Sequence, residues 1–201
     1  FYRQLEFGTG GLRGILGAGT DRMNIYVVRK STLGFLNYMI KKYPNIKEMG
    51  VAIAYDCRKN SYLFAQHAAE VIASNGVKAY LYTDIRSTPQ LSFTVRNLKC
   101  AGGIMITASH NPKEYNGFKF AFDESGNAYG EKIQEFREYI EKGEFKEGKG
   151  TLTTADVKEG YLNLIKERTS FGDRKLKVAI DCGNGVGSLF AEEIFTKLGC
   201  E

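Results

Sequence analysis

Apolar residues along the chain alternate between short continuous runs and positions spaced for one face of a helix. The short runs predict strands, at 50–55, 77–82, 103–107 and 116–122. The helical spacings predict helices, at 24–43, 62–74, 88–99 and 130–141. Strands that alternate with helices predict a layered α/β/α domain, here with a mixed sheet of about four strands.

The last two predicted strands differ in their side-chain pattern. Residues 103–107 form an unbroken apolar run, which is typical of a central strand buried on both faces. Residues 116–122 alternate instead, which assigns three phenylalanines to one face, Phe118, Phe120 and Phe122. That face is predicted to be core, and Lys119 lies on the other.

A change in composition marks the predicted domain boundary. Residues 142–154 are rich in glycine and lysine and lack apolar periodicity, so they are predicted to be a linker. Further elements follow, a helix at 155–168, a strand at 176–181 and a helix at 185–198. We therefore expect one domain at 1–152 and the beginning of a second α/β domain at 153–201. Because the second pattern stops after one β-α step and the first residue is Phe1, the chain is predicted to be part of a longer protein.

Composition and charge limit the classes of function. Apolar residues make up 43% of the sequence and charged residues 25%, which is typical of a globular domain. No apolar run reaches the roughly 18 residues needed to span a membrane, so no membrane partner is expected. The net charge of +5 comes from basic residues scattered in pairs rather than clustered. Nucleic acid is therefore not the expected partner, and an anionic small molecule is compatible with the charge.

The cysteines and histidines do not indicate a local metal site. Cys57, Cys100, Cys182 and Cys200 include no C-x-x-C pair, and the sequence has only two histidines. A zinc site built from neighbouring ligands is therefore not expected. We interpret the cysteines as reduced and mostly buried, which favours a cytoplasmic location.

A polar segment, TASHNP (107–112), follows the predicted central strand. Loops that leave such strands are where α/β proteins bind ligands, so Ser109 is a candidate reactive residue. A simple turn stabilised by Ser and Asn side chains explains the same residues equally well. A Ser-His-Asp triad fits poorly, because His110 is adjacent to Ser109 and no G-x-S-x-G turn surrounds it.

Two basic residues are candidates to bind an anion. Lys119 lies on the strand face opposite the phenylalanines, where a solvated lysine is the alternative. Arg13 lies in the glycine-rich segment FGTGGLRG (7–14), which is predicted to be a loop. Glycines let backbone N–H groups approach a phosphate, and a guanidinium binds it with two donors. A flexible segment with a solvated arginine is the alternative.

A second glycine-rich segment, DCGNGVG (181–187), follows a predicted strand and opens a predicted helix. Its G-x-G-x-G spacing differs from the G-x-G-x-x-G of dinucleotide sites, and no acidic residue follows at the usual distance. We interpret it as a tight strand-to-helix turn. A nucleotide-binding domain built on Gly183 is the alternative.

Three segments taken together carry a resemblance, FGTGGLRG (7–14), GIMITASHNP (103–112) and NGFK (116–119). They resemble the α-D-phosphohexomutase family, which includes phosphoglucomutases and phosphomannomutases. The order of elements is similar to the family's first domain from about residue 5 to residue 145. DCGNG (181–185) resembles the opening of the second domain. FGTGGLRG followed by GAGTDRMN is most similar to the phosphoglucomutase and phosphopentomutase branch.

This resemblance implies an enzyme that interconverts the 1-phosphate and 6-phosphate of a hexose, with glucose as the expected sugar. Ser109 would be a phosphoserine that donates its phosphoryl group and recovers one from a hexose 1,6-bisphosphate, the intermediate and activator. Family members use Mg²⁺, and the phosphate on Ser109 would help to bind it. The family's Asp-x-Asp-x-Asp-Arg metal pattern is absent from 1–201, so the other ligands would lie outside this chain.

The resemblance also implies roles for residues around the phosphate. Arg13, Thr9 and Asn111 would bind phosphate. Lys119 would bind phosphate, stabilise charge and assist proton movement, and His110 would position phosphate or substrate. Cations around one phosphate suit phosphoryl transfer, in which charge develops on the equatorial oxygens.

The implied partners are a small phosphosugar and the remaining mutase domains. The isolated chain is expected to fold at least over 1–150 without turning over substrate. Mannose or pentose specificity is an alternative to glucose. A relative that binds phosphosugars without chemistry is the alternative to an enzyme.

Overall fold

A computed structural model of the chain describes residues 5, 7–8, 11–122, 138–140 and 150–201, with backbone only at 7–8 and 122. These residues belong to two compact units, Phe1–Ala155 and Asp156–Glu201. The strands are β1 (Phe7–Gly8), β2 (Gly11–Ile15), β3 (Val51–Tyr55), β4 (Ala79–Tyr82), β5 (Gly102–Ile106), β6 (Tyr115–Phe122) and β7 (Leu152–Ala155). The α-helices are α1 (Ile25–Lys42), α2 (Ile46–Met49), α3 (Ser61–Ser74), α4 (Thr88–Asn97), α5 (Lys158–Arg168) and α6 (Ala191–Lys197).

The strands of the first unit form one mixed sheet in the order β1-β2-β6-β5-β3-β4-β7. The four strands β5, β3, β4 and β7 are parallel, and β6 pairs antiparallel to β5. β2 pairs antiparallel to β6, so β2 runs in the same direction as β5. The carboxyl ends of β2, β3 and β5 therefore meet at one edge of the sheet.

Helices cover both faces of this sheet. Gly102 and Gly103 are neighbours in β5 and so face opposite sides. A Cβ at Gly102 would contact Met39 of α1, and a Cβ at Gly103 would contact Leu91 of α4. α1 packs against α3, so these two helices form one layer and α4 forms the other. The predicted α/β/α layering around a mixed sheet is confirmed.

Local signals place the helix starts where the sequence predicts them. The Asn24 side chain accepts hydrogen bonds from the N–H groups of Tyr26 and Val27, both at 3.1 Å, and caps α1. Ser87 and Gln90 form a capping box at the start of α4. The predicted helix at 130–141 is described only at 138–140, which are helical, and its other residues lie outside the described ranges.

Among the described residues the sheet has seven strands rather than about four, and the three additional strands, β1, β2 and β7, lie in segments predicted otherwise. FGTGGLRG was predicted to be a loop, yet Gly11–Ile15 is a strand paired with β6. The last residues of the predicted linker join Leu152–Ala155, which pairs with β4. Both predictions were wrong for the same reason, because a neighbouring strand decides pairing at positions whose local propensity is weak.

The phenylalanines of β6 form part of the core. The Phe120 ring lies 4.8 Å from the Phe35 ring of α1 and 5.7 Å from the Phe118 ring, in stacked arrangements. All three side chains are fully buried. The predicted core face of β6 is thus confirmed for Phe118 and Phe120, and the Phe122 side chain lies outside the description.

Replacing Phe120 by alanine is expected to lower the free energy of unfolding by about 3–5 kcal/mol, since the cavity between α1 and the sheet cannot collapse fully. Urea denaturation followed by far-UV circular dichroism measures this change. Phe120→Leu, which retains most of the volume, is the control and should lose less. A loss below about 1 kcal/mol for the alanine variant would contradict the packing of this layer.

The second unit differs from its predicted pattern. Residues 176–181 do not form a strand; the N–H of Val178 donates to the Glu201 carbonyl at 2.7 Å and the Glu201 N–H donates to the Leu176 carbonyl at 2.9 Å. Ile180 is exposed, so the apolar side chains of this segment do not form a buried face. The predicted helix at 185–198 begins as a 3-10 turn at Val186–Leu189 and becomes α-helical only in α6.

The cysteines form no disulfide, but they are less buried than predicted. Cys100 is buried, and burial raises the pKa of its thiol to about 12. Cys57 is exposed because it lies in the turn between β3 and α3, and Cys182 and Cys200 are partly exposed in the short second unit. In the described ranges, no helix has the length and hydropathy needed to cross a membrane.

Candidate active site

The candidate site lies at the edge of the sheet where β2, β3 and β5 end. The loop at 107–115, called the Ser109 loop below, joins β5 to β6 at this edge. Its ends are fixed by backbone hydrogen bonds from Thr107 N–H to the Gly117 carbonyl (2.9 Å) and from Leu16 N–H to the Glu114 carbonyl (2.8 Å). The Ser109 loop therefore extends directly from the core of the sheet into solvent, the usual position of ligand sites in α/β proteins.

Ser109 is exposed and has an unusual backbone conformation. Its φ of 59° lies in the left-handed region, which side-chain-bearing residues rarely adopt. Its N–H donates to the Thr107 hydroxyl oxygen at 2.9 Å, and the Asn111 N–H donates to the Ala108 carbonyl at 3.1 Å. These local bonds form the turn that the alternative interpretation anticipates, and they present the Ser109 side chain to solvent.

Arg13 reaches the Ser109 loop from β2. It pairs in register with Gly117 of β6, and a Cβ at Gly117 would overlap the Leu12 carbonyl oxygen. The glycine thus allows β2 and β6 to approach closely beside Arg13. Nη1 of Arg13 donates to the Asn111 side-chain oxygen at 3.2 Å. The structure therefore brings together two predicted site residues that lie far apart in the sequence.

Lys119 shares a sheet face with Arg13. Residues 117 and 119 point to the same side of β6, and Gly117 faces the same side as its partner Arg13. Lys119 pairs with Met105 of β5, which lies two residues from Gly103 and therefore on the same face of the sheet. α4 covers this face at Gly103, so Arg13 and Lys119 lie on the α4 side of the sheet. Lys119 is half-buried, and burial, followed by the nearby charge of Arg13, lowers its pKa.

The lowered pKa of Lys119 predicts a measurable pH dependence. Only the neutral amine reacts with acylating reagents, so Lys119 is expected to become reactive at a lower pH than an ordinary lysine, whose pKa is about 10.4. In Arg13→Ala the like charge is removed, and the midpoint should therefore move upward. Peptide mass spectrometry of acylation between about pH 7 and pH 10 measures this, with exposed Lys113 as the internal reference for reagent. A midpoint that stays in place or falls in Arg13→Ala would contradict the assigned cause.

Sequence reasoning missed Arg58, which contacts the Ser109 loop most extensively among the described residues. Nη1 of Arg58 donates to the carbonyls of Pro112 (2.8 Å) and Tyr115 (3.1 Å). Nη2 donates to the carbonyls of Ser109 (2.9 Å) and Asn111 (2.6 Å). One guanidinium thus binds four backbone carbonyls of a single loop.

A buried polar group holds Arg58 in turn. Asp56 Oδ2 lies 3.4 Å from Nε of Arg58, and both side chains are largely buried, at 11% and 14% exposed. Asp56 Oδ1 accepts from the Arg58 N–H at 3.0 Å and from the Ser61 hydroxyl at 2.8 Å. The Asn116 side-chain amide donates to the Ser61 oxygen at 3.0 Å. The sequence signal for a residue near the site was that Asp56 and Arg58 directly follow a predicted strand, but this signal does not reveal the carbonyl partners of Arg58.

The remaining predicted site residues have different outcomes. His110 is exposed beside Ser109. Asn111 accepts from Arg13 as described above. Thr9 lies outside the described residues.

The glycine-rich turn at Gly183 is stabilised locally, because the Gly183 N–H donates to Asp181 Oδ1 at 2.8 Å. Because no described strand precedes this turn, it lacks the strand-turn-helix context that a dinucleotide site requires.

Within the described residues, no group of three or more His, Cys, Asp and Glu side chains is arranged to hold a metal ion. The carboxylate of Asp56, which binds Arg58 beside the Ser109 loop, is occupied by Arg58 and Ser61.

The fold and the site define a class of protein, an α/β/α domain that exposes a serine hydroxyl beside cationic groups at the carboxyl edge of its sheet. The sequence model of the family described as phosphoglucomutase/phosphomannomutase, alpha/beta/alpha domain I, matches residues 4–147. The chain therefore belongs to this phosphosugar mutase family, the α-D-phosphohexomutases, and contains its domain I.

Individual relatives agree with this assignment. The chain is 36% identical over 208 residues to a phosphoglucomutase of Staphylococcus saprophyticus, an alignment covering 96% of this chain and 37% of that protein. It is 43% identical over 129 residues to the phosphopentomutase of Homo sapiens, covering 61% of this chain and 21% of that protein. A solved structure of a phosphoglucomutase/phosphomannomutase family protein from Burkholderia thailandensis matches with a TM-score of 0.82 and 27% identity, covering 96% of this chain and 42% of that one. The chain thus spans less than half the length of each relative.

Proposed function

We propose that this chain is the N-terminal part of a phosphosugar mutase that interconverts hexose 1-phosphate and 6-phosphate, with glucose as the sugar, through a phosphoserine at Ser109. One observation carries the proposal. Ser109 is exposed on a loop whose Asn111 accepts a hydrogen bond from Arg13, and Lys119 lies on the same sheet face as Arg13. A phosphoserine carries nearly two negative charges, which these cations would offset.

The proposed reaction has two transfers. A hydroxyl of the sugar monophosphate attacks the phosphorus of the phosphoserine. A sugar–phosphate bond forms while the bond to Ser109 Oγ breaks, and the proton that the sugar hydroxyl loses passes to Ser109 Oγ. After the bisphosphate reorients, Ser109 Oγ attacks its other phosphate, the bond from that phosphorus to the sugar oxygen breaks, and the Ser109 proton passes to the sugar oxygen as the isomeric monophosphate leaves. We assign Arg13 to hold the transferred phosphoryl group, with Asn111 fixing the guanidinium, and His110 to position substrate. Lys119 stabilises charge and assists proton movement, a role that its lowered pKa favours.

Two additional groups belong to the proposal. Mg²⁺ would be bound through an oxygen of the Ser109 phosphate and would add positive charge to the phosphoryl group. A hexose 1,6-bisphosphate would restore the phosphate on Ser109 when it is lost. The family assignment supports both, since the relatives are phosphosugar mutases.

We further propose that residues 1–152 form the phosphoserine domain and that 153–201 begin a second domain. The end of the family match at residue 147 and the division between Ala155 and Asp156 support this organisation. The coverage of the relatives, 37% and 42% of their lengths, supports further domains in the complete protein. We therefore expect 1–201 alone to show no mutase activity in a coupled assay.

Peptide mass spectrometry on the full-length protein tests the phosphoserine directly. The protein is analysed as isolated and after incubation with a hexose 1,6-bisphosphate. We expect one phosphate, mapped to Ser109. A bare Ser109 under both conditions, with phosphosugar binding retained, would favour the non-catalytic relative instead.

Pentose phosphate is a second candidate substrate, because the phosphopentomutase of Homo sapiens is 43% identical to this chain over their aligned residues. Comparing kcat/KM of the full-length protein for ribose 1-phosphate, mannose 1-phosphate and glucose 1-phosphate distinguishes the candidates. A preference for glucose 1-phosphate supports the leading proposal, and a preference for either of the others replaces its sugar.

A further inference from the structure

Arg58 determines the direction in which the backbone of the Ser109 loop faces. Its guanidinium has five N–H donors in one plane, and four carbonyls of the loop converge on two of its nitrogens. Carbonyls from residues 109 to 115 can meet at one cation only if the loop curves around it. Side chains on the outer side of this curve are consequently presented to solvent, where Ser109 and His110 lie.

The Ser109 loop makes few hydrogen bonds between its own backbone groups. Within it, the Asn111 N–H donates to the Ala108 carbonyl and the Tyr115 N–H donates to the Pro112 carbonyl at 3.0 Å. The carbonyls of Ser109 and Asn111 accept hydrogen bonds from Arg58 instead. Hydrogen bonds from a charged donor are stronger than neutral ones, so Arg58 contributes more to the loop's shape than either turn.

A network of hydrogen bonds on the protein side of Arg58 fixes its position. Asp56 binds both its Nε and its backbone N–H, while the Ser61 hydroxyl occupies the same carboxylate. Asn116, which is fully buried at the start of β6, joins this network through Ser61 and also donates to the Lys59 carbonyl at 3.0 Å. The guanidinium is therefore anchored to both β3 and β6, the strands on either side of β5.

The left-handed backbone of Ser109 explains why such an anchor matters. A residue with a side chain at φ 59° is held there only when its surroundings determine the conformation. The Ser109 N–H is fixed by Thr107 and its carbonyl by Arg58. Loss of the second contact would let the peptide after Ser109 rotate and change the orientation of the Ser109 hydroxyl.

We propose that Arg58 is a positioning residue for the reactive serine: by binding four carbonyls of the Ser109 loop it holds Ser109 Oγ in the orientation that phosphoryl transfer requires. This inference rests on the proposed function for its catalytic consequence. The restraint on the loop backbone stands on the hydrogen bonds alone and can be measured separately.

The test uses the full-length protein with Arg58→Met and Arg58→Lys. Arg58→Met keeps the length of the side chain and loses every donor, whereas Arg58→Lys keeps the charge but cannot reach four carbonyls with one ammonium. Arg29→Met, which removes an exposed guanidinium of α1 that pairs with Glu70 of α3, is the matched control. The readouts are amide hydrogen exchange over 107–115, the single-turnover rate of phosphoryl transfer from a hexose 1,6-bisphosphate to Ser109, kcat and KM, and the melting temperature.

We expect Arg58→Met to increase exchange across the loop and to slow transfer and kcat by about 10²-fold, the scale of a small misplacement of a reacting group, with KM changed less than kcat. Arg58→Lys should fall between Arg58→Met and wild type, and Arg29→Met should match wild type. If Arg58→Met is unfolded, Arg58→Lys alone decides by the same readouts.

Folded Arg58 variants whose loop exchange and transfer rate stay within about threefold of the control would overturn the proposal, as would a lower melting temperature with unchanged kcat, which indicates a purely structural role. Failure of the proposed function looks different. In that case wild-type Ser109 accepts no phosphate, while the exchange experiment still reports whether Arg58 restrains the loop.

Discussion

Replacing Ser109 by alanine in the full-length protein is expected to lower mutase activity by at least about 10³-fold, because the covalent carrier of the phosphoryl group is lost. The fold should be unaffected. Within the described part of the chain, Ser109 makes its two hydrogen bonds through its backbone N–H and carbonyl, so they persist in the variant. A coupled assay for hexose 6-phosphate formation measures activity, and thermal unfolding measures stability.

The control for this substitution is Ser92→Ala, which removes a partly exposed hydroxyl that accepts from Arg96 on α4. It should retain wild-type activity and phosphate content. If the Ser109 variant keeps activity near wild type after incubation with a hexose bisphosphate, Ser109 is not the phosphate carrier. The site would then be a turn, as its residue types alone allow.

Arg13→Ala has the second-largest expected effect, a loss of about 10²–10³-fold in kcat/KM, the scale of removing one preorganised donor to developing charge. Arg13 is half-buried at the carboxyl edge of the sheet, and among the described residues its side chain donates one hydrogen bond, to Asn111. Stability should consequently change little. We expect a shift in melting temperature of no more than about 2–4 °C, which corresponds to about 1 kcal/mol in a domain of this size.

Two further variants show which property of Arg13 matters. Arg13→Lys distinguishes the effect of charge from that of guanidinium geometry, and Arg29→Ala controls for the loss of an arginine elsewhere on the surface. Arg13→Lys keeps the charge without the planar fork, so it should recover only part of the activity. Arg29→Ala, on the exposed side of α1, should be near wild type. If Arg13→Ala lowers stability enough to account for its loss of activity, Arg13 contributes to the packing of β2 rather than to the site.

The elements with strong local signals were predictable. The apolar run before TASHNP predicted the central strand β5, and the alternation in β6 predicted its buried phenylalanine face. The helix starts predicted at residues 24 and 88 agree with the beginnings of α1 and α4. Each of these features depends on side-chain periodicity or on a cap within a few residues, and such signals are present in any short window of sequence.

The glycine-rich segment around Arg13 shows where local reasoning failed. Glycines disfavour strands, so the segment was predicted to be a loop. Its pairing partner β6 lies about a hundred positions later, and the absence of side chains at Gly11 and Gly117 lets the two backbones approach. At these positions, close backbone approach outweighs intrinsic propensity.

Arg58 was missed for a related reason. Its carbonyl partners lie 51 to 57 residues away, and no pattern within the segment DCRKNS (56–61) reveals them. The strand predicted at 176–181 does not form, although apolar and polar residues alternate there. Alternation is not sufficient, because a strand also needs a ladder of hydrogen bonds to a neighbouring strand.

The sequence by itself determined the types of most elements, the buried face of β6 and the chemical identity of the candidate groups, since these depend on side-chain type and local period. Only the tertiary structure decided that Arg13 and Lys119 share a sheet face, that Asn111 accepts from Arg13, and that Arg58 binds the Ser109 loop. Strand register and the convergence of distant side chains depend on long-range pairing, and no local pattern specifies which strands become neighbours.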